Sequence, residues 1–231
     1  MDKVVRHYLE FFRSQYPKIV IPRHAPRACV IIEPRRHPHL EFVLKNIVYF
    51  LPDWSLYIFH SDTNESLVRS IVGPVNKERV HFHKVCRDNL TIPEYNRLLT
   101  SADFWKTIHA EDILIFQTDS YLRRWGIESF LQYGYPILGA PWKWCRDAHQ
   151  GGNGGFSLRK KSAMLCILSQ FPYSEDYQED VYFHLGAKKL GYPLAHYEIS
   201  RYFCIETMHS PMSYATHKSW AYGIPFLDIS L

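Results

Sequence analysis

Apolar positions along this chain recur with two periods, close to 3.6 and 2, and their succession predicts a series of elements. Val4, Val5, Tyr8 and Phe12 share one helical face, followed by a Pro- and Arg-containing connector that ends near Arg27. Ala28-Cys29-Val30-Ile31-Ile32 is an unbroken, β-branched run, the mark of a strand covered on both faces. Leu40, Val43, Leu44, Ile47, Val48 and Leu51 form a helical stripe that stops at Pro52, and Leu56-Tyr57-Ile58-Phe59 follows as a second strand. A helix around Glu65 to Val72 leads to a third strand, in which Val80 and Phe82 alternate with His81 and His83. Thr91-Ile92-Pro93-Glu94 has the spacing of a capping box and predicts a helix from Ile92 to Leu99, and Ile113-Leu114-Ile115-Phe116 makes a fourth strand.

Strands separated by helices every ~25–30 residues are the habit of βαβ units in a parallel sheet. The second half brings another strand at Ile137-Leu138-Gly139-Ala140 and the glycine-rich segment from Gly151 to Gly155. A helix then carries Ala163, Met164, Ile167, Leu168 and Phe171 on one face, and a last helix starts at Glu179-Asp180 and stops at Gly191. With no repeat or linker between the halves, the expectation is one α/β domain with a mixed, mainly parallel central sheet flanked by helices. Ligands should gather beyond the carboxyl ends of its strands.

Composition narrows the function more than the fold. Hydrophobic residues at 46% and charged residues at 22% of 231 supply an ordinary core, and 16% aromatic content adds candidate stacking surfaces. A net charge of +4 favours a small phosphate-bearing ligand over nucleic acid. The five cysteines contain no C-x-x-C pair, so neither a zinc site nor a disulfide framework is indicated. Charges throughout residues 1–16 and the lack of a ~20-residue apolar run lead us to expect a cytoplasmic protein without a membrane span.

Several segments could carry chemistry. Glu33-Pro34-Arg35-Arg36-His37-Pro38 puts two guanidiniums after the first strand, within reach of a base, ribose or phosphate, or else forms a solvated basic turn. Gln117-Thr118-Asp119-Ser120 ends the fourth strand, where Asp119 could hold a divalent cation against a diphosphate or merely cap a turn. Gly151-Gly152-Asn153-Gly154-Gly155-Phe156-Ser157 supplies glycines where the backbone must take φ > 0 or come close to a ligand, with N–H groups for its oxygens, or else a loose loop. Glu179 and Asp180 open a helix, where acidic residues also serve as dipole complements. His217 could complete a metal site and Lys218 could meet phosphate, although thirteen histidines make any single one unremarkable.

The order of these segments resembles the GT-A class of glycosyltransferases. Ile31-Ile32-Glu33-Pro34-Arg35, Ile115-Phe116-Gln117-Thr118-Asp119-Ser120, Gly139-Ala140-Pro141-Trp142, Asn153-Gly154-Gly155-Phe156-Ser157-Leu158-Arg159 and Glu179-Asp180-Val181-Tyr182-Phe183 look like a GT-A-like family known as a domain of unknown function. The Gly-Gly-Phe-Ser and Glu-Asp-Val elements are similar to those of β1,4-galactosyltransferase and Fringe-type inverting enzymes. The likeness spans roughly residues 28–220, with one departure: Gln117-Thr118-Asp119 stands where those families present Asp-x-Asp.

That resemblance implies a GT-A-like, Rossmann-like domain over 28–231, nucleotide-binding to about 120 and acceptor-binding beyond, preceded by an N-terminal helix and connector over 1–27. It implies transfer of a sugar, with inversion, from a nucleotide-diphosphate sugar, a UDP-sugar first among them, to the hydroxyl of a glycan or other acceptor. Asp180 would be the general base, with Glu179 orienting the acceptor or holding Asp180. Glu33, Arg35, Arg36, Asn96, Thr118, Asp119, Ser120 and Lys218 would contact the donor, and Mn²⁺ or Mg²⁺ would sit on Asp119 and His217. Trp142, Trp144, Asn153, Gly154, Gly155 and Phe156 would meet the sugar or acceptor. A binding module without turnover and a nucleotidyltransferase on a similar sheet are the alternatives.

Overall fold

The computed structural model describes residues 3–143 and 152–231, so Trp144, Cys145 and Gly151 lie outside the described residues. Its centre is a six-stranded sheet. β1 (Arg27–Ile32) pairs in parallel with β2 (Ser55–His60) on one side and with β4 (Asp112–Phe116) on the other, and β3 (His81–Lys84) extends the sheet beyond β2. β6 (Ile137–Gly139) forms the opposite edge, and β7 (Phe156–Lys160) runs antiparallel between β4 and β6, giving the order β3-β2-β1-β4-β7-β6. The fold is mixed α/β with a mainly parallel central sheet, as the pattern predicts.

The uninterrupted apolar strands follow from cover on both faces. Cys29 and Ile31 of β1, Leu56 and Ile58 of β2 and Leu114 and Phe116 of β4 point into one core; Ala28, Val30, Tyr57, Phe59, Ile113 and Ile115 point into the other. Helices α1 (Lys3–Gln15), α2 (Leu40–Phe50) and α3 (Glu65–Asn76) cover the first face through residues such as Phe12, Leu44 and Val68. Helices α4 (Ile92–Leu99), α5 (Ala102–Thr107), α6 (Lys161–Gln170) and α7 (Glu179–Lys189) cover the second through Leu99, Trp105, Met164 and Phe183. The predicted capping box exists: Thr91 Oγ1 accepts from the Glu94 N–H, and the Glu94 carboxylate accepts from the Thr91 N–H.

A second, three-stranded sheet has the order β5-β9-β8, built from β5 (Ser120–Leu122), β9 (Ala215–His217) and β8 (Cys204–Ile205), the last preceded by helix α8 (Tyr197–Phe203). Its strands are too short to show a period. The turn after Asp119, which that residue could have capped as a helix start, is instead strand β5. The helix expected to end near Val72 continues to Asn76 across a kink at Gly73-Pro74, where Gly73 takes a φ of 65°. His81 and His83, expected on a polar face, lie flat against Tyr57 and Phe59, with ring centroids 4.2 Å and 4.8 Å apart. Among the described residues no helix is long and apolar enough to cross a membrane, and no described cysteine is in a disulfide.

Candidate active site

One cleft of about 730 Å³ opens beyond the carboxyl ends of β1 and β4. Arg35, Asp119, Gly154, Asp180 and His217, distant in sequence, all line it. Topology explains the convergence. Because β7 runs antiparallel to β4, Phe156 stands opposite Phe116, and the Gly154-Gly155 entry to β7 arrives beside the Gln117-Thr118-Asp119 exit from β4. Pairing of β5 with β9 sets His217 opposite Ser120, next to Asp119, and the Lys218 N–H donates to the Asp119 carbonyl at 2.8 Å.

The loop after β1 is pinned from below. Ser61 Oγ donates to the Pro34 carbonyl at 2.7 Å, and Asn64 Nδ2 donates to the Glu33 and Arg35 carbonyls at 2.7 and 2.9 Å. Buried Glu33 then accepts from Arg35 Nε at 2.8 Å and Nη2 at 2.7 Å, and from Thr118 Oγ1 at 3.2 Å. Both Glu33 oxygens accept hydrogen bonds, so Glu33 fixes the Arg35 fork where the two line the cleft. Half of the Arg35 side chain stays exposed, and its Nη1 is turned to no described partner in that pair.

His217 is buried between two carboxylates, with Nε2 3.3 Å from Asp119 Oδ1 and Nδ1 3.5 Å from Glu206 Oε1. Burial works against the imidazolium, but Asp119 and Glu206 outweigh it and raise His217 to about 9. Burial likewise pushes Asp119 up, and His217 more than reverses this, leaving Asp119 below the usual carboxylate range. Asp119 Oδ1 is buried without a hydrogen-bond partner, and Gln117 Oε1 lies 3.3 Å from the same His217 nitrogen. With His217 at about 9, its Nε2 is protonated at neutral pH and faces Asp119, so a divalent ion held by Asp119 and His217 would have to displace that proton and would bind more tightly as pH rises. Among the described residues no group of three His, Cys, Asp or Glu stands ready for one, so the remaining ligands would come from Gln117, water or substrate.

Asp180 lines the same cleft from the first turn of α7. Its Oδ2 accepts from the Gly154 N–H at 2.9 Å and its Oδ1 from the Val181 N–H at 2.8 Å. Burial first and neighbouring Glu179 second raise it to about 6, against the pull of those two N–H groups and Arg159. Glu179 also lines the cleft, while Arg159 Nη1 and Nη2 grip its two oxygens at 2.5 and 2.8 Å in a buried pair. Asn96 also acts from behind, accepting from the Glu179 N–H and donating to Gln178 Oε1.

Four expected contacts are not where the sequence put them. Phe156 is fully buried and packs on Phe203, so it offers no face to a sugar. Ser120 is buried and spends its hydroxyl on the Gln117 carbonyl and N–H, closing the turn. Arg36 is exposed, donates to the Thr63 carbonyl and does not line the cleft. Lys218 is exposed and outside the lining, although its φ of 47° marks a held turn beside Asp119. Trp142 and Asn153 do line the cleft, and Asn153 Nδ2 donates to Glu206 at 2.9 Å.

Sequence reasoning passed over Arg159 and Glu206. Each had a signal: Arg159 is a charge inside an apolar strand, and Glu206 follows Phe203-Cys204-Ile205 as Asp119 follows β4. The glycines are as constrained as expected. A Cβ on Gly155 would run into His217 Nε2, and one on Gly154 would collide with the Glu179 carboxylate.

Residues 79–224, well over half of the chain, match the family described as Protein of unknown function (DUF5672). The chain belongs to this family. No curated protein matches it. Among solved structures, this family member is similar to a Bacillus anthracis protein assigned as a glucose-1-phosphate thymidylyltransferase and determined with sucrose, at 11% identity and a TM-score of 0.45 over 71% of this chain and 83% of that one. It is also similar to 4-diphosphocytidyl-2C-methyl-D-erythritol synthase from Anaerococcus prevotii, at 12% identity and a TM-score of 0.46 over 79% of this chain and 87% of that one.

Proposed function

We propose that this DUF5672 member is a glycosyltransferase of GT-A type, akin to the β1,4-galactosyltransferase and Fringe-type inverting enzymes. It would move a sugar from a nucleotide-diphosphate sugar to an acceptor hydroxyl. The observation that carries this reading is the meeting of Asp119, His217 and Asp180 in a single cleft, with the Gly154-Gly155 turn between them. A donor lying across it would set its diphosphate by Asp119 and His217 and its sugar between that pair and Asp180.

Asp180 serves as general base. A carboxylate titrating at about 6 is mostly ionised at neutral pH and still basic enough to take a hydroxyl proton as the acceptor attacks. The Gly154 and Val181 N–H groups keep its oxygens aimed while the proton is taken. Arg35, braced by Glu33 and Thr118, offers donors to the nucleotide, and Trp142 offers an aromatic face to the sugar. Asp119 and His217 would hold Mn²⁺ or Mg²⁺, which supplies positive charge to the departing diphosphate.

Gln117 favours a second reading. It leaves one carboxylate where related families have two, as expected of a module that binds a nucleotide sugar without turning it over. A thermal-shift screen of nucleoside diphosphates and their sugars, with and without Mn²⁺, tests the site. A nucleotide at 100 times its Kd adds about 2.7 kcal/mol, roughly 5–10 °C in a chain of this size. A shift larger with Mn²⁺ than without is expected, and no shift with any nucleotide refutes the proposal. Transfer to an acceptor separates enzyme from binding module, and turnover of nucleoside triphosphates would indicate a nucleotidyltransferase.

A further inference from the structure

A guanidinium with no exposed surface at all is the least expected group near this cleft. Arg159 sits in β7, and its side chain and that of Glu179 are 0% and 5% exposed. Taking two charges out of water is costly, and a pair so buried adds little or nothing to stability over an apolar pair of the same volume. Its retention therefore asks for another reason, and its connections supply one.

Arg159 Nε donates to Ser157 Oγ at 2.9 Å, and Ser157 Oγ in turn donates to the Gly154 carbonyl at 3.1 Å. Nη2 reaches both Glu179 and, at 3.5 Å, the same Gly154 carbonyl. One residue thus ties the glycine turn before β7 to the first turn of α7. These are the two segments whose N–H groups hold Asp180, through Gly154 and Val181. Its charge also stands against that of Glu179, directly behind Asp180.

We propose that Arg159 is a positioning residue for Asp180, acting through Glu179 and the Gly154 carbonyl to lock the carboxylate onto the cleft wall and to neutralise the charge behind it. The inference rests on the reading of Asp180 as the base, and it adds how a base so close to a second carboxylate can be ionised and aimed. The other charged groups on the cleft, Glu33, Arg35, Asp119, His184, Lys188, Glu206 and His217, stay in place in every variant below.

The test uses ligand-free protein, so it does not depend on finding a donor. Aspartate-labelled carbon NMR follows the titration of Asp180, its signal identified by its loss in D180N. In E179Q one negative charge is gone while Arg159 remains, and the Asp180 midpoint should fall by about one pH unit, a tenfold change in its acidity. In R159M/E179L both charges and the tether are gone. This apolar replacement should fold with little change in Tm, while the Gly154 amide exchanges with solvent at least tenfold faster, a change that a merely packing role for the pair would not produce. An unchanged midpoint in E179Q overturns the proposal, and so does wild-type exchange at Gly154 in the double variant. Should E179Q fail to fold, the double variant decides alone. Failure of every transfer assay would remove the base role but move neither readout.

Discussion

Asp180 shows how a single carboxylate acquires a task from its surroundings. Its value of about 6 stands above 3.8 because burial and Glu179 disfavour the charge more than two N–H groups and Arg159 favour it. A raised acid contributes stability while protonated: the contribution is full below about 3.8 and is lost as pH rises through about 6. Discounted for the edge that faces the cleft, the loss between pH 5 and pH 8 is about 1 kcal/mol. Chemical denaturation of the wild type should show that slope, and Asp180→Asn should lack it. The same variant should lose transfer by a factor of about 100 or more while binding nucleotide as before. Equal loss of binding and transfer would show that Asp180 holds the donor instead. Gly155→Ala probes the Asp119 and His217 pair. Its new methyl group would displace His217 and Gln117, so Mn²⁺ affinity measured by calorimetry should fall at least tenfold.

At the level of elements, legibility followed length and cover. The stripe from Leu40 to Leu51 and the runs at Ala28–Ile32 and Ile113–Phe116 announced α2, β1 and β4, since enough residues repeat for one period to dominate. β5, β8 and β9 have three, two and three residues, too few to carry any period, and only pairing defines them. The direction of β7 was equally hidden, because a strand reads alike both ways and only the chain's path fixes its sense. Capping was readable because its signal is local chemistry. Thr91→Ala should cost about 1 kcal/mol and lower Tm by roughly 2–4 °C. The cost carries toward the cleft, since the α4 it starts includes Asn96, which holds the first turn of α7. An unchanged Tm would mean that packing alone sets the start of α4.

In the whole molecule, the sequence showed which residues could meet, and the second sheet shows how they do. Asp119, Glu206 and His217 each flank or end a strand of that sheet, so half of the candidate site depends on a unit no periodicity revealed. Arg123, just past β5 and away from the cleft lining, secures it. Its guanidinium is buried and donates to the carbonyls of Pro211, Ser213 and Asp228 and to Ser213 Oγ, while its own carbonyl accepts from the Ser230 N–H. Four acceptors would lose their donor in Arg123→Ala, at about 2–4 kcal/mol in all, or a Tm lower by roughly 5–10 °C. The consequence for function follows from register. Ser213 and Tyr214 lead directly into β9, so once the turn they form is loosened, His217 no longer returns to one position opposite Ser120. A variant that touches no ligand should therefore weaken the combined shift with Mn²⁺ and nucleotide several-fold. Lys106→Ala, which breaks an exposed i,i+3 pair with Asp103 on α5, should change neither stability nor binding by more than about 0.5 kcal/mol. If Arg123→Ala lowers Tm as expected yet binds Mn²⁺ and nucleotide like the wild type, the second sheet is a brace for the core alone and His217 is positioned by its carboxylates without it.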